Sequence, residues 1–286
     1  MGIVLGLAAA MIYGAADFVG GLVSRRTNVL AVVLLSQLWG TAPLLLAVPF
    51  FGTALAGEDL AWGSAAGLAG AAGIVFLYRG LSIGRMTVVA PTTAVEAATF
   101  PVIFGLAGGE RPSAVALTGV ALALAAVALV SSSPRGAPGG IAGQAGPGGR
   151  LPPGLLEALA AGLAFGFFFI SLERTSPESG LLPLVVARAT AMVSVGLAAL
   201  LTRRSLRPSP GTSSSIATAG GLDVLANILY LLASRQGLLS LVAVLTSLYP
   251  ASTVLLARVV LRERLWRVQA AGLILAAVGV ALIALG

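Results

Sequence analysis

The chain has no cysteine, no histidine and no lysine, and only 9% of its residues are charged. Without cysteine there is no disulfide, thiolate nucleophile or zinc–thiolate site. Without histidine there is no imidazole relay, so only hard oxygen ligands remain for any ion. No metal, cofactor or catalytic residue is expected. An ordinary soluble domain is roughly one quarter charged, so a chain that is 58% hydrophobic cannot face water over most of its length. The lipid bilayer is its expected solvent and partner. All 17 cations are arginine and outnumber 10 acids, for a net charge of +7. They sit singly or in pairs between apolar runs, where they meet lipid head groups, and form no basic stripe with interleaved aromatics. Nucleic acid is therefore excluded as a partner.

What the chain has is long apolar runs. A spanning helix needs about 20 such residues, and unpaired backbone groups in hydrocarbon restrict spans to helices or closed barrels. Runs such as 115–130 are continuously apolar, not alternating, which selects helices. Punctuation by charge, proline and serine places spans near 3–23, 29–51, 61–81, 86–108, 113–131, 154–173, 181–201, 214–234, 238–261 and 266–285, ten in all. The first begins with no basic leader and is followed by Ser24-Arg25-Arg26 with no small-residue cleavage site, so it reads as a retained helix. Tight connections at 82–86, 109–112, 235–237 and 262–265 imply antiparallel neighbours. The segment 132–153, rich in Gly, Pro and Ser, reads as a flexible linker between a first five-helix unit, 1–131, and a second, 154–286.

The two units resemble each other. At a constant offset of 153, Gly84 meets Gly237, Thr93 meets Thr246, Glu110-Arg111 meets Glu263-Arg264 and Gly119 meets Gly272. The first helices align at an offset of 152, with Gly14 opposite Gly166. Five spans per copy is an odd number, which turns the second copy upside down and predicts an all-α membrane protein of ten transmembrane helices in two inverted repeats. Carriers use such symmetry because two oppositely oriented halves have two near-equivalent packings, one open to each side.

Several motifs resemble those of the EamA family of the drug/metabolite transporter superfamily. They are Tyr-Gly-Ala-Ala-Asp-Phe-Val-Gly-Gly at 13–21, the pairs Tyr13-Gly14 and Phe165-Gly166, the acids Glu110 and Glu263 after the fourth and ninth spans, and Pro91 or Pro101 matched by Pro250. The resemblance implies a basket of ten helices around a central cavity, moving metabolites such as amino acids, or drugs, by alternating access, with proton-coupled export as one form. It implies a transporter in a bacterial plasma membrane, not an enzyme. Asp17 departs from the commonest pattern, in which a small or neutral polar residue follows the first glycine.

Ionisable groups inside a span cost about 2.5–3.5 kcal/mol each on insertion scales. Asp17, Glu96, Arg188 and Asp223 are the deep ones. Three acids and one base leave at least two carboxyls without a deep cation, and these are expected to hold a proton or a cationic substrate group. Arg188 would take a substrate carboxylate or an acid across the cavity. The alternative is a structural pair, Arg188–Asp223 or Arg188–Glu96, with Asp17 reaching loop water. Pro91, Pro101 and Pro250 each delete a helix hydrogen bond and would kink their spans near the site. Tyr13, Tyr78, Asn227, Tyr230 and Tyr249 supply further cavity groups. Glu110 and Glu263 would cap the spans that follow them or form gating ion pairs. Glu58-Asp59 reads as a solvated turn. The Gly-x-x-x-Gly spacings at Gly63–Gly67 and Gly162–Gly166 permit close packing.

Two orientation signals conflict. Arg25, Arg26, Arg85, Arg135, Arg150, Arg203, Arg204, Arg207, Arg262, Arg264 and Arg267 fall in odd-numbered loops and Arg111, Arg174 and Arg235 in even ones, which puts the termini outside. The family resemblance puts them in the cytoplasm. A membrane-embedded enzyme would need a polar catalytic cluster, and a channel a polar stripe; neither is in the sequence. Flipping of a lipid or lipid-linked substrate fits the architecture better than either. The expected partners are the bilayer, a small-molecule substrate and protons; one chain is sufficient for this architecture, and oligomeric state stays open.

Overall fold

The computed structural model describes residues 1–52, 54–84, 86–130, 153–260 and 267–285. Eleven α-helices run through these residues: α1 Gly2–Ser24, α2 Val29–Ala47, α3 Gly57–Ile83, α4 Met86–Ala107, α5 Ala114–Val130, α6 Leu155–Glu173, α7 Leu182–Leu201, α8 Ser213–Ser234, α9 Leu239–Thr246, α10 Tyr249–Val260 and α11 Arg267–Leu285. No strand occurs among the described residues. Each expected apolar stretch is helical. The count exceeds ten because the stretch expected as one span at 238–261 is divided at Ser247-Leu248. Pro250 explains the break: its ring would strike the carbonyl of Thr246, four residues back, and it has no N–H to donate there. Thr246 is the last residue of α9, and Pro250 takes the second position of α10, where a missing N–H costs nothing. α4, by contrast, stays helical through Pro91 and Pro101. Nearly all of the expected linker at 132–153, together with Glu263, lies outside the described residues.

Among the described residues, six helices are long and apolar enough to cross a membrane: Gly2–Ser24, Val29–Phe50, Gly57–Ile83, Leu155–Glu173, Leu182–Leu201 and Ser213–Ser234. Thr92–Ala107, Ala114–Val127, Leu239–Thr253 and Ala270–Ile283 are shorter apolar helices. Large aliphatic side chains point outward, as at Val193, Leu200 and Val259, while alanine and glycine fill the helix contacts. That distribution suits lipid, which gives Leu no reason to hide and favours small residues where backbones approach.

The contacts recur with the halves exchanged. α1 packs along α8 as α6 packs along α3, and α2 packs on α8 as α7 packs on α3. α4 meets α6 as α9 and α10 meet α1, and α5 lies against α11. The first and third helices of each half thus clasp those of the other. Glycines permit the closest of these approaches. A Cβ on Gly67 would strike the Ala187 carbonyl, and one on Gly220, 153 positions later, would strike that of Ser36. The Gly63–Gly67 spacing faces α7 and the Gly162–Gly166 spacing faces α4.

Candidate functional site

A cavity of about 730 Å³, including its mouth, lies between the middles of the helices. It is lined by Tyr13 and Asp17 of α1, Gln37 of α2, Ala66 and Gly70 of α3, Ala97 of α4, Phe165, Phe168 and Phe169 of α6, Arg188 of α7, Asp223 and Asn227 of α8 and Tyr249 of α10. Four-residue spacing explains the pairs: Tyr13 and Asp17 share one face of α1, and Asp223 and Asn227 one face of α8. Both halves therefore contribute polar groups to one space.

Arg188 is its centre. Its Nη2 donates to Asp223 Oδ2 at 2.6 Å, and its Nη1 donates to Gln37 Oε1 at 2.7 Å and to the Gln37 carbonyl at 3.2 Å. The guanidinium is 6% exposed and so depends on these partners. Gly40, one turn along α2, makes room for it, since a Cβ there would come within 2.7 Å of Nη1. Of the two structural pairings open from the sequence, the geometry contains Arg188–Asp223 and not Arg188–Glu96. Gln37 was not among the expected residues. The signal for it was weak but present: an amide inside an apolar run must find a partner in hydrocarbon.

A second chain of bonds runs beside the first. Tyr13 Oη donates to Asn227 Oδ1 at 2.8 Å, and Asn227 Nδ2 donates to the Asp223 carbonyl at 2.7 Å. Tyr249 Oη donates to the Ala90 carbonyl at 3.2 Å. Asp17 lines the cavity and makes no hydrogen bond or ion pair among the described residues.

The remaining expected residues lie elsewhere. Glu96 stands on the face of α4 that meets α6, its Cβ beside Gly162, and does not line the cavity. Tyr230 is fully buried behind the aromatic wall, its ring 4.3 Å from that of Phe169. Tyr78 packs against Gly20. Pro101 does bear on the site, because it provides no N–H for the carbonyl of Ala97, a lining residue.

Two expectations at the helix ends need correction. Asp59 is not solvated: it is 2% exposed and accepts from Ala56 N–H at 2.9 Å, Ser176 N–H at 2.7 Å and Ser176 Oγ at 3.1 Å. The α6–α7 connection folds over the start of α3, and Arg235 Nη2, from the end of α8, donates to the Ser176 carbonyl of the same connection at 3.0 Å. Gly180 allows that fold with φ +56 and no side chain to strike Gly52. Glu110 caps α9 and not α5, the helix that follows it; Ser113 Oγ takes the latter role by accepting from Ala116 N–H at 3.0 Å.

Known proteins place this arrangement. One crystal structure of a protein is similar over 97% of this chain and 98% of its own, with a TM-score of 0.70 and 22% sequence identity, a likeness of fold. No curated protein matches the chain. The EamA-like transporter family matches twice, over residues 1–132 and 152–285, so the match covers both repeats and nearly the whole length. The chain belongs to the EamA-like transporter family, and is a helical integral membrane protein with that family's two-repeat architecture.

Proposed function

We propose that the protein carries small solutes across the membrane by alternating access, through ten spans arranged as two five-helix repeats of opposite orientation, residues 1–131 and 154–286. In this reading α9 and α10 form one broken ninth span, and the shorter apolar helices complete the ten. The observation that carries the proposal is the cavity itself. It lies midway along the helices, takes its polar groups from both halves, and joins charged and aromatic side chains in one space, as solute sites do. A rocking motion that exchanges the packing of the halves would open it to one side and then the other. Asp17 is the carboxyl through which proton exchange would be coupled to solute movement.

The absence of cysteine makes a clean test available. Ala66→Cys and Ala191→Cys place single thiols in the cavity lining. In oriented proteoliposomes both are expected to react with a membrane-impermeant maleimide from either side, and a transported solute should slow both reactions. Reaction from one side only under every condition, with no saturable solute uptake, would sink the carrier reading.

A further inference from the structure

The polar groups of the cavity do not balance. Arg188 is bonded to Gln37 and Asp223, Tyr13 to Asn227, Asn227 Nδ2 to the Asp223 carbonyl, and Tyr249 to the Ala90 carbonyl. Two carboxyl groups face one guanidinium, and the guanidinium is spoken for by Asp223. Among the described residues the Asp17 carboxyl, one turn from Tyr13 on the same face of α1, is the carboxyl of this cavity that has no cationic partner. Glu96 does not share the space.

We propose that the solute is a small organic cation, an ammonium bearing an apolar or aromatic body, with Asp17 as its counter-ion and the rings of Tyr13, Phe165, Phe168 and Tyr249 as its wall. This deepens the carrier reading and rests on it only for movement, not for binding. An ammonium brings the positive charge that the second carboxyl lacks, with N–H donors to meet it, and aromatic faces attract it once water is excluded. An anion meets the reverse. To reach Arg188 it must displace Asp223, leaving that carboxylate unpaired in a low-dielectric site, and it must approach Asp17 as well. A zwitterion gains at one end and loses at the other. The residues that flank the polar groups, Ala66, Ala97 and Ala191, are small and apolar.

The test uses three probes with the same phenyl-ethyl body and different charge: phenethylamine, phenylalanine and 3-phenylpropionate. Binding to the full chain in lipid nanodiscs is followed by calorimetry. Phenethylamine is expected to bind at least about tenfold more tightly than 3-phenylpropionate, with phenylalanine between them. Asp17→Asn should weaken phenethylamine by at least about tenfold without moving the melting temperature, while Asp17→Glu should keep most of the affinity. Equal or tighter binding of the anion, no binding of phenethylamine, or unchanged binding in Asp17→Asn would each overturn the proposal. If Asp17→Asn fails to fold, Asp17→Ser decides: a loss for phenethylamine of at least about tenfold more than for 3-phenylpropionate supports the assignment, and an equal loss for both refutes it. Binding of the amine without flux in proteoliposomes would sink the carrier reading and leave the cation assignment standing.

Discussion

The Glu110 carboxylate, at the end of α4, holds the first turn of α9, accepting from Leu239 N–H at 2.7 Å through Oε1 and from Ser240 N–H at 3.1 Å through Oε2. It thereby satisfies two of the N–H groups a helix start leaves free, and places negative charge at the positive end of the helix dipole. Glu110→Ala is expected to lower stability by about 1–2 kcal/mol, read as a fall in melting temperature in detergent, and Glu110→Gln by less. A neutral effect of both would mean that water serves α9 equally well.

Adjacent glycines on α8 offer a controlled comparison. Gly220 presses on the Ser36 carbonyl of α2, whereas nothing lies within 4 Å of a Cβ placed on Gly221. Gly220→Ala should cost at least about 2 kcal/mol and reduce the monodisperse yield on size exclusion, because backbone has to move. Gly221→Ala should be neutral or slightly stabilising through helix propensity. Equal behaviour of the two would remove the close α2–α8 contact from the account.

The Arg188–Asp223 bridge predicts strong non-additivity. Arg188→Gln alone leaves a buried carboxylate without its cation, and Asp223→Asn alone leaves the guanidinium with Gln37 only. Each single change should destabilise by about 3 kcal/mol or more, and the double change by clearly less than the sum, in a double-mutant cycle measured by thermal unfolding. Additive losses would show that the two side chains are not coupled.

Thr93 and Thr246 occupy equivalent places in the two halves but differ in bonding. Thr93 Oγ1 donates to the Ala158 carbonyl at 3.2 Å, while Thr246 Oγ1, equally buried, has no partner among the described residues. Thr93→Val should cost about 1 kcal/mol, and Thr246→Val should be neutral or stabilising, since it removes a buried hydroxyl with no partner among the described residues. The reverse order would show that the halves differ in the opposite sense.

The helices themselves were legible in the chain, because hydrocarbon demands that every backbone group be satisfied locally and a continuous apolar run can answer only with a helix. The duplication was legible too, through Glu110-Arg111 and Glu263-Arg264 recurring 153 positions apart. So was the short list of deep charges, since each had to have a reason to be in lipid. The break before Pro250 could be read only in part: Pro91 and Pro101 carry the same chemistry and leave α4 helical, so neighbours decide what a proline does.

Partnership was decided by the tertiary structure. Glu110 and Leu239 lie 129 residues apart, and Arg188 and Gln37 lie 151 apart. No local spacing encodes which helix end receives a carboxylate, or that Asp59 is buried beneath Ser176. Composition and periodicity report how each residue meets its solvent; which of three acids meets the one deep arginine depends on how α2, α7 and α8 are packed. That packing bonds Asp223 to Arg188, sets Glu96 beside α6, and leaves Asp17 facing the cavity with no ion-pair partner among the described residues.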